Sequence, residues 1–178
     1  PIPIHSELED KPYVTAMNIV KDPETGFYNS SHAGTQAVGP HKGLVSFITP
    51  HTHAIIQKYL ARGEKEMPIA VVFGIPPAFE IMGNFSGLHM DLWGEMEMVG
   101  TIMDMDIEMV PCETIPLTVP AHAEIIVEAV VDLTSQTDVG VGVSPSMYYL
   151  PKTATLPDMR IQAITMRKDR PIYRNHLT

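Results

Sequence analysis

The run from Val110 to Leu133, V-P-C-E-T-I-P-L-T-V-P-A-H-A-E-I-I-V-E-A-V-V-D-L, constrains the fold more than any other part of this chain. It reads as two strands joined at a proline-marked corner, the second being a long apolar strand from Ala123 to Leu133. A chain that must bury such a strand needs a sheet partner and a covering layer.

The remaining elements supply both. Tyr13 to Val20 reads as a strand, and Asp22-Pro-Glu-Thr-Gly26 as a turn in which proline presets φ and glycine closes the loop. Asn29 to Pro40, polar and small, reads as a loop or short edge strand, and Gly43 to Thr49 as a strand. Thr52 to Arg62 is the clearest helix, with Thr52 as N-cap, Ile55, Ile56, Tyr59 and Leu60 on one face, and Gly63 to end it. Met67 to Gly74 suits a central strand. Pro76-Pro77 opens a helix to about Met82, Asn84 to Gly94 reads as loop, and Glu95 to about Thr101 as a short helix. Alternation of Met103, Met105, Ile107 and Met109 with Asp104, Asp106 and Glu108 predicts a half-buried strand with an acidic outer face. Ser146–Leu150 and Met159–Arg167 read as two more strands. Strands outnumber helices, and the helices cluster between residues 52 and 101. The expected fold class is mainly β: an antiparallel barrel or sheet with a few helices on one side.

Composition narrows the partners. At 178 residues the chain fits one domain, 1–178. A net charge of −9 argues against nucleic acid and against anionic membrane surfaces. The longest apolar run, Pro68 to Phe79, is broken by Gly74, Pro76 and Pro77 and reads as a buried element rather than a membrane span. Cys112 is the only cysteine, which suits a reducing cytoplasm. No basic-then-apolar leader opens the chain, and there is no starting methionine. The expectation is an excised, cytoplasmic domain of a longer protein.

Seven segments in order resemble the UbiD family of aromatic and α,β-unsaturated acid decarboxylases, specifically its middle domain. Pro1–Ile4 with Tyr13–Gly26 looks like the family's L-P-I entry and its strand ending in D-P-[ED]-T-G, and Asn29 sits where the family has the asparagine of N-x-x-x-x-R. Phe73–Ala78 is similar to F-G-x-P-P-A, and Glu95–Gly100 to the E-x-x-x-x-G helix. Cys112–Thr114 and Val119–Glu128 are similar to K-C-E-T and V-P-A-x-A-E-I-V-L-E-G, and Ala163–Asp169 to A-I-T-x-R-K-D.

The resemblance implies a split β-barrel related to flavin-reductase FMN-binding domains, flanked in such proteins by an N-terminal α/β domain and a C-terminal oligomerisation domain. It implies prenylated FMN, held through its phosphate by Mn2+ (or Mg2+) and K+. The implied metal ligands are Asn29, His51 and Glu95, with His53 competing for the histidine role. Amide oxygen, imidazole and carboxylate suit a hard or borderline divalent ion. Without the resemblance, Asn29 also fits a turn, His51 and His53 fit helix caps, and Glu95 fits a helix start. Ser31, His32 and Ala33 occupy the segment that lines the cofactor in the family, and Ser86 matches a serine preceding the metal glutamate. The partners implied are a small aromatic substrate with CO2, and homo- or hetero-oligomers with other UbiD-like subunits.

The pattern breaks where the family does its chemistry. The catalytic arginine falls on Gly34, in N-S-S-H-A-G. The two carboxylates fall in Asp138–Val143, so Asp138 stands for the first and Val143 replaces the second. A decarboxylase must put a proton where CO2 leaves, so it needs a positioned acid. His32, His41 and His122 offer alternatives, His32 being the best placed, whereas Glu124 and Glu128 read as scaffold carboxylates. Catalytic candidates are therefore His32 and Asp138. Three readings follow: a UbiD-like (de)carboxylase with altered residues, of the kind that carboxylates phenyl phosphate with several unequal subunits; a non-catalytic homologue kept for assembly; and, last, a plain flavin-reducing barrel.

Overall fold

A computed structural model describes residues 13–83, 94–139 and 154–169. Six antiparallel strands close into a barrel. They are β1 (Tyr13–Lys21), β2 (Tyr28–Ala37), β3 (Lys42–Ser46), β4 (Glu66–Phe73), β7 (Ile125–Val139) and β8 (Ala154–Met166), in the spatial order β1-β2-β3-β8-β7-β4, with β4 returning to β1. Helix α1 (Pro50–Ala61) joins β3 to β4. Helices α2 (Pro77–Met82) and α3 (Glu95–Met103) and a two-stranded ribbon, β5 (Met109–Pro111) with β6 (Thr118–Pro120), lie between β4 and β7 in sequence.

The period of two along each strand divides the core. Val14, Ala16, Ala33, Val45, Ile69, Val71, Val131 and Met159 fill the barrel, joined by Ile55 and Tyr59 of α1. Residues of the opposite parity on β1, β4 and β7, among them Met17, Ile19, Val72 and Val130, pack outward against Phe79, Met82, Val99 and Leu117. β1, β4 and β7 are thus buried on both faces, which is why they read as nearly continuous apolar runs. No helix among the described residues is long and apolar enough to cross a membrane.

Three local expectations are corrected. The polar stretch after Asn29 is a full ten-residue strand, β2, paired to β1 along Tyr28–Gln36 and to β3 along Gly34–Ala37. Pairing on both sides overrides the weak strand preference of Asn, Ser and Gly. The predicted strand over 103–109 is instead the end of α3 and a turn. Asp104 caps the helix in the left-handed region at φ 51°, and strand structure resumes only at Met109. Helix α1 begins with Pro50 in its first turn and Thr49 as N-cap, so Thr52 lies inside the first turn. The turn at Asp22–Gly26, Gly63 after α1 at φ 75°, and helices α2 and α3 stand where the sequence puts them. The loop expected over 84–93 and the strand expected at Ser146–Leu150 lie outside the described residues.

Glu128, fully buried on β7, ties the barrel to the segment between β5 and β6. Its carboxylate accepts the Glu113 N–H (2.8 Å), the Thr114 N–H (2.6 Å) and the Thr114 hydroxyl (2.6 Å). Burial alone would raise its pKa, but these donors outweigh burial and hold it below the usual carboxylate range. Glu128→Gln is expected to cost about 2 kcal/mol at pH 7, read from urea unfolding. The folded carboxyl ionises below its unfolded value, so its contribution is complete above the unfolded pKa and is lost as pH falls through the folded one. The gap between wild type and Glu128→Gln should therefore close below about pH 4.

Candidate functional site

β2 presents two sets of side chains. Asn29, Ser31 and Ala33 point to the barrel interior, while Ser30, His32 and Gly34 take the other direction. The first turn of α1 meets the interior set at one end of the barrel. Asn29 Nδ2 donates to Thr52 Oγ1 (3.2 Å), Ser31 Oγ lies 3.3 Å from the same oxygen, and Thr49 Oγ1 lies 2.9 Å from it. Asn29 is 1% exposed, and its Oδ1 is buried with no hydrogen-bond partner. A buried amide oxygen left unsatisfied is costly unless something outside the protein claims it.

The first turn of α3 brings in a carboxylate. Glu95, 2% exposed, receives the Ser30 N–H on Oε2 at 3.3 Å and faces His51 Nδ1 from Oε1 at 3.9 Å. Burial raises the Glu95 pKa, and hydrogen bonds from the Glu95 and Ser30 backbone offset part of that. Burial also lowers the His51 pKa, keeping the imidazole neutral and its lone pair free near neutrality. His53 is exposed, and its Nε2 lies 3.1 Å from the Phe47 carbonyl oxygen. Of the two histidines, His51 is the one beside Glu95. Among the described residues no three His, Cys, Asp or Glu side chains form a metal cluster. A cleft of about 280 Å³ opens beside His51, bordered by Asp22, Phe27, Ile55 and Lys58.

The donor set fits a hard divalent cation: a free buried amide oxygen, a desolvated carboxylate and a neutral imidazole. Two helix N-termini end at the same place, adding partial positive charge that favours an anion such as a phosphate next to the cation.

The other expected residues are more dispersed. His32 is half-buried on the outward side of β2 opposite Met17, with its Nε2 enclosed and unpartnered. Burial lowers its pKa, and the charge of Glu80 restores part of the shift. Gly34 lies two residues on, along the same side. Ala33 places its methyl group in the barrel core, leaving only its backbone for a ligand. Asp138 is exposed near the end of β7, opposite Thr155, and no described contact joins it to the Asn29–Glu95 group. His41 and His122 are exposed, His122 lying 3.4 Å from Glu108. Ser86 and Val143 lie outside the described residues. Cys112 is no nucleophile: burial first, then Glu128 and Glu113, push its thiol pKa up to about 12. Thr52 escaped the sequence reading, because its N-cap pattern explained it as a helix start.

All of residues 1–178 match the family described as UbiD, 3-octaprenyl-4-hydroxybenzoate carboxy-lyase Rift-related domain, and the chain belongs to that family. It is similar to anhydromevalonate phosphate decarboxylases of two archaea. The protein of Methanothermobacter thermautotrophicus is 33% identical over 72% of this chain, and that of Methanosarcina mazei is 30% identical over 97%. Its fold superposes on an evolved dimeric form of the UbiD-class enzyme HmfF from Pelotomaculum thermopropionicum, in complex with prFMN, with TM-score 0.89, 28% identity and 98% of this chain covered. The chain spans 30% and 39% of the two decarboxylases and 40% of the HmfF chain.

A buried carboxylate with a raised pKa weakens the metal-free fold. Glu95→Gln is expected to stabilise chelator-treated protein by about 1–2 kcal/mol in urea unfolding at pH 7.5, while removing Mn2+-dependent stabilisation.

Proposed function

We propose that this chain is the cofactor-binding middle domain of a longer UbiD-like enzyme that removes or adds a carboxylate on a small, unsaturated or aromatic substrate. The observation that carries this reading is the unpartnered Asn29 Oδ1 buried on β2, one residue before Ser30, whose N–H donates to the buried Glu95 carboxylate. Asn29, His51 and Glu95 would hold a divalent ion, Mn2+ or Mg2+, with K+ as a further cation, and the ion would serve to bind the phosphate of prenylated FMN. Ser31, His32 and the Ala33 backbone would border the cofactor, and Ser86 is added by the family pattern alone. Support comes from HmfF, which is described with prFMN bound and whose fold this chain shares.

When bound, the prenylated flavin supplies the electron sink against which a carbon–carboxylate bond can break. This chain's residues do the rest. Asn29 would offer the cation a neutral amide oxygen and Glu95 a charged carboxylate. The N-termini of α1 and α3 would favour the negative charge of the phosphate. His32, on the outward face of β2, is the residue put forward to deliver a proton to the substrate carbon, the task that Val143 cannot perform. Asp138, exposed near the end of β7, is the other candidate. The two archaeal relatives act, by their names, on a phosphorylated acid. A phosphorylated substrate, phenyl phosphate among them, would bring its own anion to a site that has Gly34 in place of arginine.

The second reading is a non-catalytic, UbiD-like subunit that keeps the fold for homo- or hetero-oligomeric assembly. Gly34 favours it, since a glycine at the arginine position offers no cation for a carboxylate. Elemental analysis and native mass spectrometry of the full-length protein, co-expressed with a flavin prenyltransferase, separate the two. One manganese and one prenylated flavin per chain support the enzyme. An empty protein that still assembles supports the subunit. Glu95→Ala is expected to abolish cofactor retention and leave assembly intact. His32→Asn should keep the flavin and lower turnover of phenyl phosphate or cinnamate-type acids by about 10²–10⁴-fold. Unchanged turnover in His32→Asn would remove His32 from the chemistry.

A further inference from the structure

Thr52 has no role in any ligand set above, yet it is 1% exposed and its hydroxyl sits among three polar groups. We propose that Thr52 is a positioning residue, whose hydroxyl locks the Asn29 amide with its nitrogen inward and its carbonyl oxygen turned free to bind a cation. The inference rests on the reading of Asn29 and Glu95 as cation ligands.

A hydroxyl offers one proton and two lone pairs. Asn29 Nδ2 can only donate, so at 3.2 Å it occupies a lone pair of Thr52 Oγ1. Thr49 Oγ1 at 2.9 Å and Ser31 Oγ at 3.3 Å take the Thr52 proton and the remaining lone pair between them. The hydroxyl is then saturated, and the amide nitrogen has its acceptor. Asn29 Oδ1, at the other end of the same planar amide, has none. An asparagine amide turns readily about its last torsion, and only its hydrogen-bond partners decide which end faces where. Without Thr52 the amide could present –NH2 to the cation, which repels it.

The coupling also runs the other way. A cation on Oδ1 draws electron density through the amide and makes Nδ2 a stronger donor to Thr52. Outer partners of this kind set the orientation of metal ligands, and losing one typically costs about 10–100-fold in metal affinity. Thr52 can hold this place because α1 starts at Pro50, so residue 52 faces β2. Ser31, on the same face of β2, contacts the same hydroxyl.

The test is Mn2+ binding by the full-length protein, measured by calorimetry and by the electron paramagnetic resonance signal of free Mn2+. Thr52→Val keeps shape and removes the hydroxyl; Thr52→Ser keeps the hydroxyl. Thr52→Val should weaken Mn2+ binding by about 10–100-fold, and Thr52→Ser should restore it. A carboxylate has two equivalent oxygens and no wrong end. In an Asn29→Asp background, Thr52→Val should therefore change Mn2+ affinity by less than about twofold, a non-additivity that a merely structural role would not produce. Should Thr52→Val fail to fold, Thr52→Ala is compared in the same two backgrounds. Equal Mn2+ affinity in wild type and Thr52→Val, with Glu95→Ala unable to bind, would overturn the role of Thr52 and leave the cation site standing. A loss of the same size in both backgrounds would also overturn it. No Mn2+ binding by wild type would overturn the cation reading and the inference together.

Discussion

β2 is hydrogen-bonded to β1 on one side and β3 on the other, so its side chains have only two directions to take. That constraint assembles the site. Asn29 and Ser31 go inward to meet α1, while the Ser30 backbone reaches α3 and His32 goes outward toward α2. A slip of one residue in the β1–β2 register would exchange the two sets and leave the α1 end of the barrel without an amide. The pairing of Asn29 with Val20 and Ser31 with Asn18 is thus as much a part of the site as any ligand.

The sequence conveyed the elements with strong periodicity and the residues with a family pattern. β1, β4, β7 and β8 announced themselves by apolar runs, and α2 and α3 by Pro77 and the Glu95 helix start. β2 did not, because its side chains serve a polar site and carry no strand signature of their own; only neighbours distant in sequence make it a strand. The false strand at 103–109 has the opposite origin. Alternating Met and acidic residues satisfy a period of two, yet Asp104 tolerates the left-handed conformation that ends α3 there. Thr52 shows a third kind of miss, where a local rule gave a sufficient explanation three residues from the real N-cap. Asn29, His51 and Glu95 span 66 positions, and no spacing rule connects them; only the family pattern brought them together before the fold did.

The chemistry around β2 has been rebalanced. An arginine two residues after His32 would place a permanent cation on the outward face; Gly34 leaves that face neutral. With burial holding His32 uncharged and Glu80 nearby, the outward side of β2 carries no fixed positive charge of its own. A substrate that needs charge pairing must find it elsewhere than on this face of β2.

The strand order also has a consequence for how the molecule forms. The barrel is closed by β3 against β8, where Lys42 pairs with Arg160, 118 positions later. Until β8 arrives, β3 and β7 each keep a row of unsatisfied backbone groups, and the loop to be closed spans those 118 positions. Closure is therefore a late event with a high contact order, and until then the barrel carries open, adhesive edges. The side of the barrel that seals last is the one built from β3 and β8, not the β1–β2 hairpin that bears Asn29, so the ligand-bearing hairpin can be in place before the barrel shuts.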